Sequence, residues 1–216
     1  MIGALVKSRR QTYYSQFGED IFIQAFFSSK TTKGFYVDVG AHHPKFWSNT
    51  YTLHLKGWSG LNIDLHQHNI EMFNLFRRRA TNLCAAVSDV EAELPLYEFG
   101  PVSLFNTLSK HDAEKVSRER SIPYITKMVK TQTLTTILAG NGYANQEIDL
   151  LSIDVEGHDL AVLRSLDFSI YQPSMICVEL HERDIKKVIE SQLFTFLTDR
   201  GYVLASWPSP SLIFTR

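Results

Sequence analysis

The chain has 216 residues, 44% of them hydrophobic and 21% charged, with a formal net charge of −1. That length and balance suit one well-buried core and leave too little chain for two comfortable domains. The near-zero charge excludes a global basic field for nucleic acid or an anionic membrane, and no apolar run reaches the roughly 20 residues that span a bilayer. The opening MIGALVKSRRQ sets an apolar patch before its basic residues, the reverse of a secretory signal.

Residues 12–33 (TYYSQFGEDIFIQAFFSSKTTK) read as a helical extension laid on the core. Strand-like and helix-like runs then alternate, the pattern of a mostly parallel sheet covered on both faces. The strands read GFYVDVGA, SGLNIDL, NLCAAVSD, IDLLSID, MICVELH, YVLASW and LIFTR. Ser48 is placed to cap a helix through NTYTLHLK that Gly57 ends. A helix after Asp64 sets Ile70, Phe73 and Phe76 on one face. It closes with Arg77, Arg78 and Arg79, which suit the negative helix end and are expected in solvent. Residues 95–133 lack a clean period and carry KHDAEKVSRER, so they are expected to form a lid or substrate loop. A helix near Gly157 packs Leu160, Leu163 and Leu166, and another runs from Ile185 through Val188, Ile189, Phe196 and Leu197 to Gly201. Only Pro208, Ser209 and Pro210 join the last two strands, enough for a hairpin and too few for a parallel crossover. The two cysteines, Cys84 and Cys177, sit in strand-like runs and are expected in the core. No disulfide framework is indicated, and a reducing, cytoplasmic location is the expectation.

In VDVGAHHP a strand ends in Asp38 and Gly40 makes the turn, with Ala41 behind it. A glycine there lets a ligand approach the backbone. Ala41, His42 and His43 occupy the places where G-x-G-x-x-G needs glycines, so a dinucleotide pyrophosphate and a nicotinamide oxidoreductase fit poorly. The next strand ends in Asp64, an acid ~20 residues beyond a glycine turn, where ribose hydroxyls are usually met; it could instead cap the following helix. The third strand ends in Ser88 and Asp89, placed either to bracket an adenine or to cap a turn.

These pieces, together with SQFGED, GWSGLNID, IDLLSIDVEGHDLAVL and CVELHERD, resemble the FkbM-type methyltransferases over most of the chain. IDVEGH is the most family-specific of them. The resemblance implies a single-domain class I, Rossmann-like α/β fold with a seven-stranded, mostly parallel sheet whose last strand is antiparallel. It also implies S-adenosylmethionine as donor and, usually, a hydroxyl of a sugar, glycan or small natural product as acceptor. On that resemblance Asp38, Gly40 and Asp64 are cofactor residues, and Ala41, Ser88 and Asp89 stand beside them as cofactor candidates from their own positions.

A hydroxyl acceptor must lose a proton as it attacks, and histidine is a natural base. Asp154, Glu156 and His158 gather at the end of the fourth strand, and Glu179, His181 and Glu182 at the end of the next. Asp154, Glu156 and His158 are the catalytic candidates. Asp154, Glu179 and His181 could also hold a divalent cation such as magnesium, and an acid–base pair without metal would use the same groups. A scaffold protein that binds the donor without turning it over is the alternative reading. A nucleic-acid acceptor is disfavoured by the charge and the lack of an aromatic–basic motif.

Overall fold

The computed structural model describes residues 12–216, so the opening residues read against a secretory signal lie outside it. In chain order the elements are α1 (Glu19–Phe26), β1 (Phe35–Val39), α2 (Tyr51–Leu55), β2 (Ser59–Asp64), α3 (Gln67–Phe76), β3 (Thr81–Cys84), β4 (Ala86–Val87) and β5 (Glu93–Glu98). Then come α4 (Lys110–Arg120), β6 (Ile125–Gln132), α5 (Leu134–Gly140), β7 (Leu150–Ile153), α6 (Asp159–Arg164) and β8 (Met175–Glu179). The chain ends with α7 (Ile185–Glu190), α8 (Gln192–Thr198), β9 (Val203–Ser206) and β10 (Ser211–Thr215).

The main sheet runs β3-β2-β1-β7-β8-β10-β9, with β10 antiparallel to both neighbours. This is the mixed α/β, Rossmann-like order expected of a class I methyltransferase. Alternation along each strand sorts its side chains between two faces. Val37, Val39, Leu61, Ile63, Leu151, Ile153, Ile176 and Val178 face one core with α5, α6 and α8. Tyr36, Leu150, Met175 and Cys177 face the other, with Ile23 of α1, Leu53 of α2 and Trp58. Asp38, Ser152, Asp154 and Glu179 have the parity of this second face. The pairing Ile153↔Val178 then sets Asp154 beside Glu179 as both strands end.

Several local expectations change. Residues 95–133 are not a loop: β5 and β6 pair antiparallel, β6 also joins β4 in a three-stranded sheet, and α4 lies between them. The period was invisible because β6 is exposed at most of its residues, so no apolar face was required of it. The fourth helical run is two helices, broken where the Ser191 hydroxyl caps α8, and Ile185 and Ile189 are exposed. Phe76 is exposed rather than sharing the buried face of Ile70 and Phe73. Ser48 does not cap α2; its hydroxyl accepts from Arg77 at 2.8 Å. Cys84 is exposed, whereas Cys177 is buried. Among the described residues, no helix is long and apolar enough to cross a membrane.

Candidate functional site

A cavity of about 1100 Å³ opens at the carboxyl ends of β1, β2, β7 and β8. That is the edge where ligands sit in open α/β sheets. Gly40, His42, Asp64, Asp154, Glu156, Glu179 and His181 all line it. Among the other candidates, Asp38, Ala41, Ser88, Asp89 and His158 do not reach its wall.

The β1 turn wraps the tip of β2. Gly40 and Ala41 donate backbone hydrogen bonds to the Ile63 carbonyl at 2.9 and 3.1 Å. Gly40 has φ +78°, and a Cβ there would lie 1.7 Å from the Asp154 carbonyl oxygen. Glycine is thus required for β1 and β7 to converge, a packing reason stronger than the ligand approach expected of it. Asp64 accepts from the His42 amide at 2.8 Å on one oxygen. On the other it accepts from the His66 amide at 2.7 Å and from Asn69 at 3.0 Å. Burial pushes the Asp64 carboxyl up, but bonds from the His66 ring and from the His66 and His42 amides outweigh it and leave its pKa below the usual value. Asp64 therefore presents an ionised carboxylate at the cavity wall, with capacity left on the oxygen that holds only His42. The apolar wall beyond it is Ala85, Ala86 and Val87.

Asp38 lies beneath the site and accepts from the Thr50 hydroxyl at 2.6 Å. Burial raises its pKa, while the bond from Thr50 and the charge of Arg77 pull the other way. Arg77 was expected in solvent. It is instead wholly buried and donates to the Pro44 carbonyl at 2.7 Å, to Tyr36, Thr50 and Ser48, and stacks over Tyr51. Its cation holds together the loop from β1 to α2. The arginine run looked like a solvated helix end because a single core arginine among three leaves no periodic trace.

At the other end of the cavity the carboxylates converge. Asp154 is exposed to the cavity, and desolvation by the surrounding walls pushes its pKa well above the carboxylate range. Glu179, Asp159 and Glu156 push it further. Glu156 is raised to about 8, first by burial and then by Glu179. Its backbone is left-handed, with φ 53°. His181 Nδ1 approaches Glu179 Oε2 at 3.2 Å, and this contact raises the histidine's pKa. Asp159 accepts from the amides of Val155 and Gly157 and so shapes the turn, although burial lifts it to about 7. His158 turns away: its Nε2 meets the Ser88 hydroxyl at 2.9 Å, and burial lowers its pKa. Ser88 thus meets both His158 and Asp89, and the cavity wall nearby is lined by Ala86 and Val87 instead.

Sequence reasoning passed over two parts of the wall. Ser15 donates to Asp20 at 2.7 Å and Ser211 donates to Glu19 at 2.9 Å, so SQFGED is pinned to β10 with Gln16 and Phe17 at the cavity rim. Residues 103–108 form the opposite rim. There the Asn106 amide meets His66 Nε2 at 2.7 Å, and His66 Nδ1 meets Asp64 at 3.2 Å. Thr107 donates to the Glu156 carbonyl at 2.8 Å. Asp112 of α4 covers Gly157 so closely that a Cβ there would lie 2.2 Å from its carboxylate oxygen. The signal for the first part was the compact Ser–Asp spacing in SQFGED; the second had none.

A search of curated proteins finds no match to this chain. The family profile described as the methyltransferase FkbM domain matches residues 38–204, from within β1 to within β9, and covers all of the cavity's acidic end. The chain belongs to the FkbM methyltransferase family, and it is a methyltransferase.

Proposed function

We propose that the cavity binds S-adenosylmethionine and that the protein methylates a hydroxyl of a sugar, a glycan or a small natural product. The observation that carries this reading is one cavity with two chemically different ends. Asp64 supplies an ionised hydrogen-bond acceptor at one end, and the paired acids Asp154 and Glu179 lie at the other. Binding pockets commonly span about 300–1,000 Å³, so this volume suits a donor and an acceptor together.

Asp64 would take the ribose hydroxyls and the Ala85–Val87 wall the adenine face, leaving the amino-acid end beside Gly40 and Asp154. The donor supplies a methyl on a sulfonium: the acceptor oxygen bonds to that carbon, and the carbon–sulfur bond breaks with its electron pair left on sulfur. The acceptor's proton then passes to a carboxylate of the Asp154–Glu179 pair. His158 is a positioning residue in this scheme, since its ring is held by Ser88. Nothing in the wall demands a charged donor phosphate, and the residues present fit a neutral ribose and a carboxyl-bearing tail.

The test has two steps. Calorimetric titration of the full chain with S-adenosylhomocysteine should show binding. Transfer of labelled methyl from S-adenosylmethionine onto a panel of free sugars and glycans should then be lowered ~10²–10⁴-fold in Asp154→Asn, with donor affinity little changed. Absence of S-adenosylhomocysteine binding in folded protein would overturn the donor assignment. Undiminished transfer by Asp154→Asn would overturn the role of the acid pair.

A further inference from the structure

We infer that Glu156, Glu179 and His181 form a binding site for a first-row divalent cation, of which Mn²⁺ is the representative. One ligand atom from each residue lies within 4.8 Å of the other two. The residues come from adjoining strand ends: Glu156 from the turn after β7, Glu179 as the last residue of β8, and His181 two residues on. Ligands held ~2.1 Å from a metal stand ~3 Å apart at right angles and ~4 Å apart across it. The His181–Glu179 separation of 3.2 Å already has the first value, and the third atom needs only a small side-chain movement.

Converging acids are common without a cation, so the state of Glu179 matters. It is 8% exposed and lines the cavity, and its Oε2 is buried with no well-formed hydrogen bond, its nearest basic atom being His181 Nδ1 at 3.2 Å. A carboxylate oxygen that is desolvated and poorly bonded is costly, and a cation beside it removes that cost. The sole basic neighbour at this end, among the residues of the cluster, is His181, and it is itself a metal-ligand type.

The donor set also chooses the ion. Six-oxygen octahedral sites suit magnesium, whereas an imidazole with two carboxylates suits manganese, iron or zinc. This differs from the sequence expectation in two respects. Glu156 replaces Asp154 among the ligands, which leaves Asp154 free as proton acceptor, and the histidine shifts the preference away from magnesium. Three protein ligands leave open positions facing the cavity. On the methyl-transfer reading, those positions receive acceptor oxygens and acidify the hydroxyl.

The site stands on its own geometry, and its test needs no methyl donor. The full chain, stripped with EDTA and dialysed, is titrated with Mn²⁺ and followed by the loss of free-ion electron paramagnetic resonance signal. One bound ion per chain is expected, with affinity reduced more than about tenfold in Glu179→Gln and in His181→Ala. His181 is more than half exposed, so its removal tests the site without disturbing the core. S-adenosylhomocysteine titration of the same samples reports separately on the donor site. No Mn²⁺ binding at millimolar concentration, or binding that both variants retain, would overturn the inference.

Discussion

Asp64 does two jobs with one side chain. It holds the His42 and His66 amides, which shapes the loops on either side, and it offers its remaining capacity to the cavity. Asp64→Ala should therefore weaken S-adenosylhomocysteine binding by about 1.5–3 kcal/mol, the range for bonds to a charged group. It should also lower the melting temperature, because two amides lose their acceptor. Calorimetric titration alongside a thermal melt separates the effects, and unchanged affinity in a folded variant would remove Asp64 from the donor site. His54 makes a prediction about pH. It is buried with an unbonded Nδ1, and burial, followed by the charges of Arg77 and Arg79, pushes it down to about 4. The unfolded chain then takes up the proton first. Its contribution to stability is complete above about pH 6.5 and is lost as pH falls towards 4. His54→Gln should accordingly lose less melting temperature than the parent between pH 7 and pH 4.5. Parallel pH profiles would show that His54 does not contribute to acid sensitivity.

The element that decides access to the site is the stretch from β5 to β6. It touches the site at three places: Asn106 on His66, Thr107 on the Glu156 carbonyl, and Asp112 over Gly157. Each contact is a single polar bond or a steric cover, whereas the strands beneath are fully buried at β7 and β8. Stability differs accordingly across the molecule. Amides of residues 99–109 should exchange faster than those of Leu150–Ile153. They should slow when S-adenosylhomocysteine binds, because a ligand on Asp64 fixes His66 and through it Asn106. Hydrogen exchange with and without S-adenosylhomocysteine measures this, and equal rates for 99–109 in both states would separate this rim from the donor site. The α1 segment works differently. Buried Glu19 and Asp20 tie it to Ser211 and Ser15, so its rim residues Gln16 and Phe17 rest on a fixed support.

For the whole molecule, the sheet determines which groups meet. The seven strands and their hairpin ending were legible because strands buried on both faces must be apolar almost throughout, and FYVDV, LLSI and MICVE show it. The acids at the ends of β1, β2, β7 and β8 were legible too, since charged residues at buried strand ends are costly without a use. What the local pattern could not convey was direction. His158 and Glu156 are two residues apart in IDVEGH, yet one faces Ser88 and the other faces the cavity. The turn around Gly157 that parts them depends on Asp159 bonding back to Val155 and Gly157. Arg77 and Arg79 look alike in RRR; only one meets the Pro44 carbonyl and the Ser48, Thr50 and Tyr36 hydroxyls inside the fold. Burial pattern and strand-end chemistry are local properties, so the sequence alone determined the α/β sheet, the family and the edge that carries the site. The pairing of Asp154 with Glu179, the exclusion of His158 and the burial of Arg77 depend on residues distant in the chain, and for these the tertiary structure decided.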